Sequence, residues 1–248
     1  MAKRSNTNSG KRQLRDDSLV FNEEEHTYVK GNQKFISVTQ FVKAFNPPFT
    51  PFDTEKISKA IAKKTNRTAE DVLKEWKAKA DYGTEVHKII ERFILGELKL
   101  YDIENRHAEE AISALAKITN TYGYPKELPE VRVYSEKHGI AGTIDCVLLL
   151  EDGEFVLIDW KTNATIRGAG EVYRNNDELR NLPDHSFSHY TLQLSIYAYL
   201  LESEYGLKCR RLKLVHLLDG KHNIYDITYC KDIVLEMLRE AKEHGTKN

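Results

Sequence analysis

Two carboxylates and an ammonium group crowd into one short stretch of this chain. Gly142-Thr143-Ile144-Asp145 ends in an acid, and Asp159-Trp160-Lys161 follows after an apolar run. Phe155-Val156-Leu157-Ile158 leads straight into Asp159, which predicts the end of a buried strand. In a strand, residues i and i+2 share a face, so Asp159 and Lys161 project together and Trp160 projects to the other side. A charged pair at such a place needs a reason. Two acids converging on one edge suit a divalent cation held through oxygen. Such a cation polarises a phosphoryl oxygen and activates water. An ammonium beside it can orient that water or steady the developing negative charge. The plainer alternative is a structural ion pair closing a strand. A second Asp-x-Lys, Asp219-Gly220-Lys221, reads instead as a hairpin turn between two apolar strands.

Other residues could join this chemistry. His87 and Glu91 share a face of a predicted helix at 82–96, and neutral imidazole is a common ligand for transition metals. Glu130 opens a predicted strand at 130–135, sharing a face with Arg132 and Tyr134. Gln193 and Tyr197 share a helical face at i, i+4. Each has an ordinary alternative: a surface or core histidine, an exposed strand acid, a partly buried polar pair.

The elements that must position them form an α+β or α/β pattern. Residues 18–37 alternate around Gly31-Asn32 and predict a β-hairpin. Ser37-Val38-Thr39-Gln40 resembles a capping box opening a short helix to Phe45, and Pro47, Pro48 and Pro51 then break it. Helices are predicted near 53–65, 68–80, 82–96 and 105–122. Strands follow at 130–135, 140–150 and 154–162. A polar stretch at 163–187 carries Arg167, Arg174 and Arg180, and reads as a substrate-contacting flap or as disorder. A helix at 188–205, strands near 209–218 and 222–228, and a last helix from about 231 complete the chain. Lys56, Lys59 and Lys63 line one helix face, and Lys74, Lys77 and Lys79 decorate the next. Such faces are solvated surface or a DNA contact.

The chain has 248 residues and a formal charge of −1, so nucleic-acid contact must use local basic patches. Apolar content of 40% is ample for a core, and the expected organisation is a single domain over 18–248. Residues 1–17 carry Lys3, Arg4, Lys11, Arg12 and Arg15 among polar residues and read as a disordered basic arm. Cys146, Cys209 and Cys230 are widely spaced, which speaks against zinc fingers and for free thiols. No apolar run is long enough for a membrane span, and no signal peptide is visible.

Gly83-Thr84 with His87, Glu130, Gly142 with Asp145, Asp159-Trp160-Lys161, and Gln193 with Tyr197 occur in this order. Together they resemble the PD-(D/E)xK nuclease superfamily, specifically its RecB-type branch, over about residues 76–205. The N-terminal hairpin ending in Ser37-Val38-Thr39 is similar to phage and prophage exonucleases of that branch. The resemblance implies a restriction-endonuclease-like core at 81–248, a central mixed β-sheet flanked by helices. The hairpin and a helical extension at 18–80 would precede it. It implies His87, Asp145 and Asp159 as ligands of Mg²⁺ or Mn²⁺, with the backbone carbonyl of Trp160 joining them. Lys161 would be the catalytic lysine and Glu130 an additional acid. Gln193 and Tyr197 would support the site and approach DNA, with Thr84, Arg167 and Arg174 as further DNA contacts. Some relatives carry an iron–sulfur cluster. Three cysteines cannot supply four thiolates, so no iron–sulfur cluster is expected.

The implied activity is hydrolysis of DNA, single- or double-stranded, leaving a 5′-phosphate and a 3′-hydroxyl. An exonuclease of DNA recombination, repair or processing fits best, in the cytoplasm of a bacterial or phage-infected cell. A recombination or single-strand-binding protein encoded nearby is the partner such a role suggests. The alternatives are a structure-specific endonuclease, a non-catalytic DNA-binding module on the same fold, or a hydrolase of another phosphate ester.

Overall fold

The computed structural model describes residues 12, 14, 16, 18–22, 25, 27–45, 53–171 and 185–244. Three short strands come first: β1 (Leu19–Asn22), β2 (Thr27–Lys30) and β3 (Gln33–Ser37). The predicted hairpin at Gly31-Asn32 is the β2–β3 turn, and β1 adds a third antiparallel strand to it. Ser37 Oγ accepts the Gln40 amide at 3.2 Å and opens α1 (Val38–Phe45), as its spacing predicts. Then come α2 (Thr54–Thr65), α3 (Ala69–Ile94), a short 3₁₀ turn at Leu100–Asp102, and α4 (Arg106–Thr121). The second half is β4 (Lys126–Ser135), β5 (Ile140–Leu149), β6 (Glu154–Lys161), α5 (Ser186–Tyr205), β7 (Lys208–Leu218), β8 (Lys221–Ile227) and α6 (Lys231–His244).

Among the described residues, all eight strands join one mixed sheet. The order along it is β1-β2-β3-β5-β6-β7-β8, with β4 also paired to β5. β4 runs antiparallel along the whole of β5, from Lys126 opposite Leu149 to Ser135 opposite Ile140. The other edge of β5 is shared. β3 pairs with it in parallel at Ile140 and Ala141, and β6 pairs with it antiparallel from Cys146 to Leu149. Between them, residues 142–145 of β5 carry no strand partner on that edge. The sheet forks there. Asp145 stands at the crotch, just where β6 leaves β5 to continue alongside β7 as far as Lys161 opposite His216.

Helices cover both faces. Alternate residues of β6 divide between two cores: Phe155 and Leu157 pack with α1, α5 and α6, and Val156, Ile158 and Trp160 pack with α3 and α4. Asp159 and Lys161 share the parity of Phe155 and Leu157, so they look toward α5. This is the restriction-endonuclease-like arrangement expected of the chain, a central mixed sheet between helical layers.

Two stretches differ from expectation. The predicted helices at 68–80 and 82–96 are one continuous helix of 26 residues. Thr68 and Asp71 form a capping box at its start, and buried Val72, Val86 and Ile90 hold its two halves. Within 1–17, Arg12, Leu14 and Asp16 are tied to the fold: Arg12 Nη1 donates to the Tyr134 carbonyl at 2.8 Å, Leu14 packs on the core, and Asp16 pairs with Lys30 at 2.6 Å. The rest of that basic arm, Lys3, Arg4, Lys11 and Arg15 included, lies outside the described residues. Among the described residues, no helix is long and apolar enough to cross a membrane.

Candidate active site

Gly83 explains why α3 runs on. Glycine inside a helix costs about 1 kcal/mol relative to alanine. Here the bare Cα lets the helix approach the end of β6, since a Cβ would stand 3.2 Å from Thr162 Oγ1. One turn later the same helical face presents His87 to β6, where Nε2–H donates to the Trp160 carbonyl at 3.2 Å. Its Nδ1 lies 3.6 Å from Asp145 Oδ1. Burial lowers the imidazole pKa, but the Asp145 carboxylate outweighs it, and the result is pushed up to about 9. The two ring nitrogens face two acceptors, the Trp160 carbonyl and the Asp145 carboxylate.

Asp145 uses its place at the fork. Its Oδ2 accepts the Trp160 amide at 2.8 Å, a donor that β5 no longer pairs through its backbone. Across the ladder, Glu130 stands opposite Asp145 between the pairs Pro129–Cys146 and Val131–Ile144. Its φ is 48°, a left-handed conformation in the middle of a strand. That conformation costs of order 1–3 kcal/mol and recurs where function demands it. One ligand atom each from His87, Glu130 and Asp145 lie within 4.8 Å of one another. Burial, the charge of Asp145 and that of Glu91 push the Glu130 pKa up to about 8, with His87 acting against them.

Asp159 stands beside this trio rather than in it. Lys161 Nζ lies 2.7 Å from its Oδ2, and Gln193 Nε2 donates to its Oδ1 at 3.4 Å. Oδ2 is buried and receives no hydrogen bond of good direction. Burial pushes the Asp159 pKa up to about 6 against the pull of Lys161. Burial acts to lower the Lys161 pKa, but the charges of Asp159 and Asp145 raise it overall, so the ammonium stays protonated.

Gln193 and Tyr197 reach the site from α5. Tyr197 is buried against the fork, where a Cβ on Gly142 would lie 2.5 Å from its ring. Thr84 is exposed on the wall of the cleft, its hydroxyl donating to the Ala80 carbonyl at 3.1 Å. Arg167 is exposed. Its amide donates to Ser186 Oγ at 2.9 Å and its carbonyl accepts the Phe187 amide at 3.1 Å, which ties it to the start of α5. Arg174, like Arg180, lies outside the described residues. The lysine faces are largely neutralised: Lys59, Lys74, Lys77 and Lys79 each pair with an acid four residues away.

Three further residues stand at the site without belonging to any motif: Tyr190, Asn163 and His216. Tyr190 could have been noticed from its i, i+3 spacing to Gln193. The other two have no sequence signal. A cleft of about 1440 Å³ opens onto His87 and Glu130 between α3, the start of α4, the segment after β6 and the β7–β8 turn. Trp76, Tyr82, Lys88 and Glu91 line it together with His87 and Glu130.

A family model for the PD-(D/E)XK nuclease superfamily matches residues 59–227. Among solved structures, the protein SSO0001 is similar over 89% of this chain and 79% of its own, at 15% identity and a TM-score of 0.42. A "Putative exonuclease" from Eubacterium rectale is similar over 64% of each chain, at 13% identity and a TM-score of 0.40. No curated protein matches the chain. With the family match extending over well more than half its length, the chain belongs to the PD-(D/E)XK nuclease superfamily.

Proposed function

We propose that the protein is a divalent-cation-dependent deoxyribonuclease of the RecB-type branch, working from DNA ends in recombination, repair or processing. One observation carries the reading. An imidazole and two carboxylates from α3, β4 and β5 meet within 4.8 Å, beside a buried Asp159–Lys161 pair. That donor set fits a cation. It mixes nitrogen and oxygen ligands, which suits Mn²⁺ and admits Mg²⁺. The Trp160 carbonyl is 3.2 Å from His87 Nε2, and Asp159 Oδ2 is a buried acceptor without a well-directed donor.

His87, Glu130 and Asp145 would hold the cation, with Asp159 and the Trp160 carbonyl completing the set. When bound, Mg²⁺ or Mn²⁺ supplies Lewis-acid polarisation of the phosphoryl oxygen and a lowered pKa for water. The protein's own residues do the rest. Lys161 steadies the charge that grows on the phosphate. Gln193 holds the Asp159 carboxylate. In-line attack by water on phosphorus breaks the bond to the 3′-oxygen, leaving a 5′-phosphate and a 3′-hydroxyl. The motif order supports the branch, and the phage-like N-terminal hairpin supports end-dependent cutting of single- or double-stranded DNA.

The test is to incubate linear, nicked and covalently closed DNA with the protein and Mg²⁺, Mn²⁺ or chelator. Cation-dependent loss of the linear form alone is the expected result. Cutting of closed circles would replace the exonuclease with an endonuclease, and no cation-dependent loss at all would overturn the nuclease reading. Lys161→Ala should abolish cleavage while DNA binding, read by fluorescence anisotropy, stays near the wild-type level.

A further inference from the structure

The pair that faces α5 is gripped from both ends by one helix. Gln193 donates to Asp159 Oδ1 at 3.4 Å, and Tyr190, one turn earlier on α5, presents its ring to Lys161, with Nζ 4.7 Å from the ring centroid. The ring is itself fixed. Tyr190 Oη donates to Asn163 Oδ1 at 3.1 Å, and the Asn163 carbonyl accepts from His216 Nε2 at 2.6 Å. His216 is buried and sits beside Lys161 in the β6–β7 register. The sheet thus fixes the segment after β6, that segment fixes the ring, and the ring faces the ammonium.

We infer that Tyr190 is a positioning residue, a cation–π clamp whose ring keeps the Lys161 ammonium aimed at the reacting phosphate. This rests on the reading of Lys161 as the charge that steadies the phosphate. The physical need is plain. A lysine side chain has four rotatable bonds, and among the described residues Asp159 is its one close ionic partner. When that carboxylate turns to a cation, the ammonium needs a second attraction that does not compete for the same oxygens. An aromatic face supplies one, and partial burial strengthens it. Tyr190 and Gln193 stand one turn apart on α5, so a single helix contacts the ammonium and the acid together.

Two measurements on the full chain test this. In protein carrying ¹³C-lysine, the ε-methylene signal of Lys161, identified by its loss in Lys161→Arg, should lie upfield under the Tyr190 ring current. It should move to the ordinary lysine position in Tyr190→Leu and stay upfield in Tyr190→Phe. In steady-state cleavage, Tyr190→Leu should lower kcat roughly tenfold, the scale of one partly desolvated cation–π contact, with KM unchanged. Tyr190→Phe, which keeps the ring, should recover most of that loss. An unmoved signal in Tyr190→Leu, equal losses in the two variants, or a change confined to KM would each overturn the clamp. Lys161→Ala cleaving at the wild-type rate would instead overturn the reading of Lys161, and the kinetic role of Tyr190 with it. Full activity of Tyr190→Leu beside an inactive Lys161→Ala would overturn the clamp alone.

Discussion

Glu130 is the residue at which this chain departs most from ordinary strand chemistry. It holds a left-handed backbone at φ 48°, with a carboxyl group forced up to about 8 by burial and by Asp145. Both features oppose folding unless something rewards them. Glycine accepts positive φ without strain and carries no carboxyl group. Glu130→Gly should therefore raise the stability of the chelated protein by about 1 kcal/mol in urea, while abolishing the Tm increase that Mn²⁺ gives the wild type. A lower stability in that variant would show that the glutamate is not held at a cost. The pH dependence follows from the same groups. Glu130 rises from 4.5 to about 8 and His87 from 6.5 to about 9. A group whose pKa is higher in the folded chain binds its proton more tightly there, so its stabilisation is present at low pH and is lost as pH rises through the folded value. The chelated protein should lose stability from about pH 4.5 to 8 through Glu130, and from about pH 6.5 to 9 through His87. Cation affinity should climb over the same range, because binding must expel these protons. Mn²⁺ titration by calorimetry at pH 7, in two buffers of different ionisation enthalpy, should therefore show proton release. Equal heats in both buffers would sink this account.

At the scale of elements, the contact that sets the site is α5 on β5. The Tyr197 side chain fills the place a Gly142 side chain would need, with two ring carbons and the hydroxyl oxygen between 2.5 and 3.1 Å from the position of a Cβ. A buried ring cannot swing aside cheaply, so Gly142→Ala should cost about 1–3 kcal/mol. Tyr197→Leu should partly restore the double variant in a urea-unfolding cycle. Additive losses would mean that the two do not share that space. Gly83→Ala makes a useful contrast. Its new Cβ meets only the Thr162 hydroxyl at 3.2 Å, and alanine favours the helix by about 1 kcal/mol, so the change should be near neutral. The same elements show what was legible in the sequence. Gln193 and Tyr197 could be read because helical spacing puts them on one face, and Asp145 because an acid breaks an apolar strand, whereas Gly142 stood out only through the family resemblance. The continuity of α3 could not: Gly83 resembles a helix break by propensity, and only its packing on Thr162 shows why the glycine is there. β4 begins at Lys126 and not at 130, since Pro129 argues against a strand unless it pairs on one edge only, and β5 is the one strand β4 pairs with. Tyr190 escaped notice because its partner Asn163 reaches it only when the chain folds back after β6.

For the molecule as a whole, the fork in the sheet decides what can be separated. The sequence suggests an N-terminal extension at 18–80 placed ahead of a nuclease core at 81–248. In the folded chain that boundary falls inside α3, two residues before Gly83 and within a helix that runs from Ala69 to Ile94. The extension also supplies one prong of the fork: Ile36 and Ser37 of β3 pair with Ile140 and Ala141 of β5. Tyr28 of β2 shares a 2.9 Å hydrogen bond with Thr143, two residues from Asp145. Leu19, Tyr28 and Phe35 form a small core with Tyr134 and Ala141, and Val38, Phe41 and Val42 of α1 join the main core under α5. Removing 1–80 would uncover these apolar faces, leave Ile140 and Ala141 of β5 without a partner on that edge, and cut α3 ahead of His87. Burying a single large apolar side chain contributes about 1.5–3 kcal/mol, and a whole domain is stable by only about 5–15 kcal/mol. The loss of six such side chains therefore exceeds what the remainder can absorb. We expect a chain beginning at residue 81 to show no cooperative thermal transition and no Mn²⁺-induced stabilisation. A chain beginning at residue 12, which keeps Arg12, Leu14 and Asp16, should melt like the full-length protein. A cooperative, cation-responsive fragment 81–248 would show that the β3 prong and α1 are dispensable, and that the fork does not need them to hold Asp145 in place.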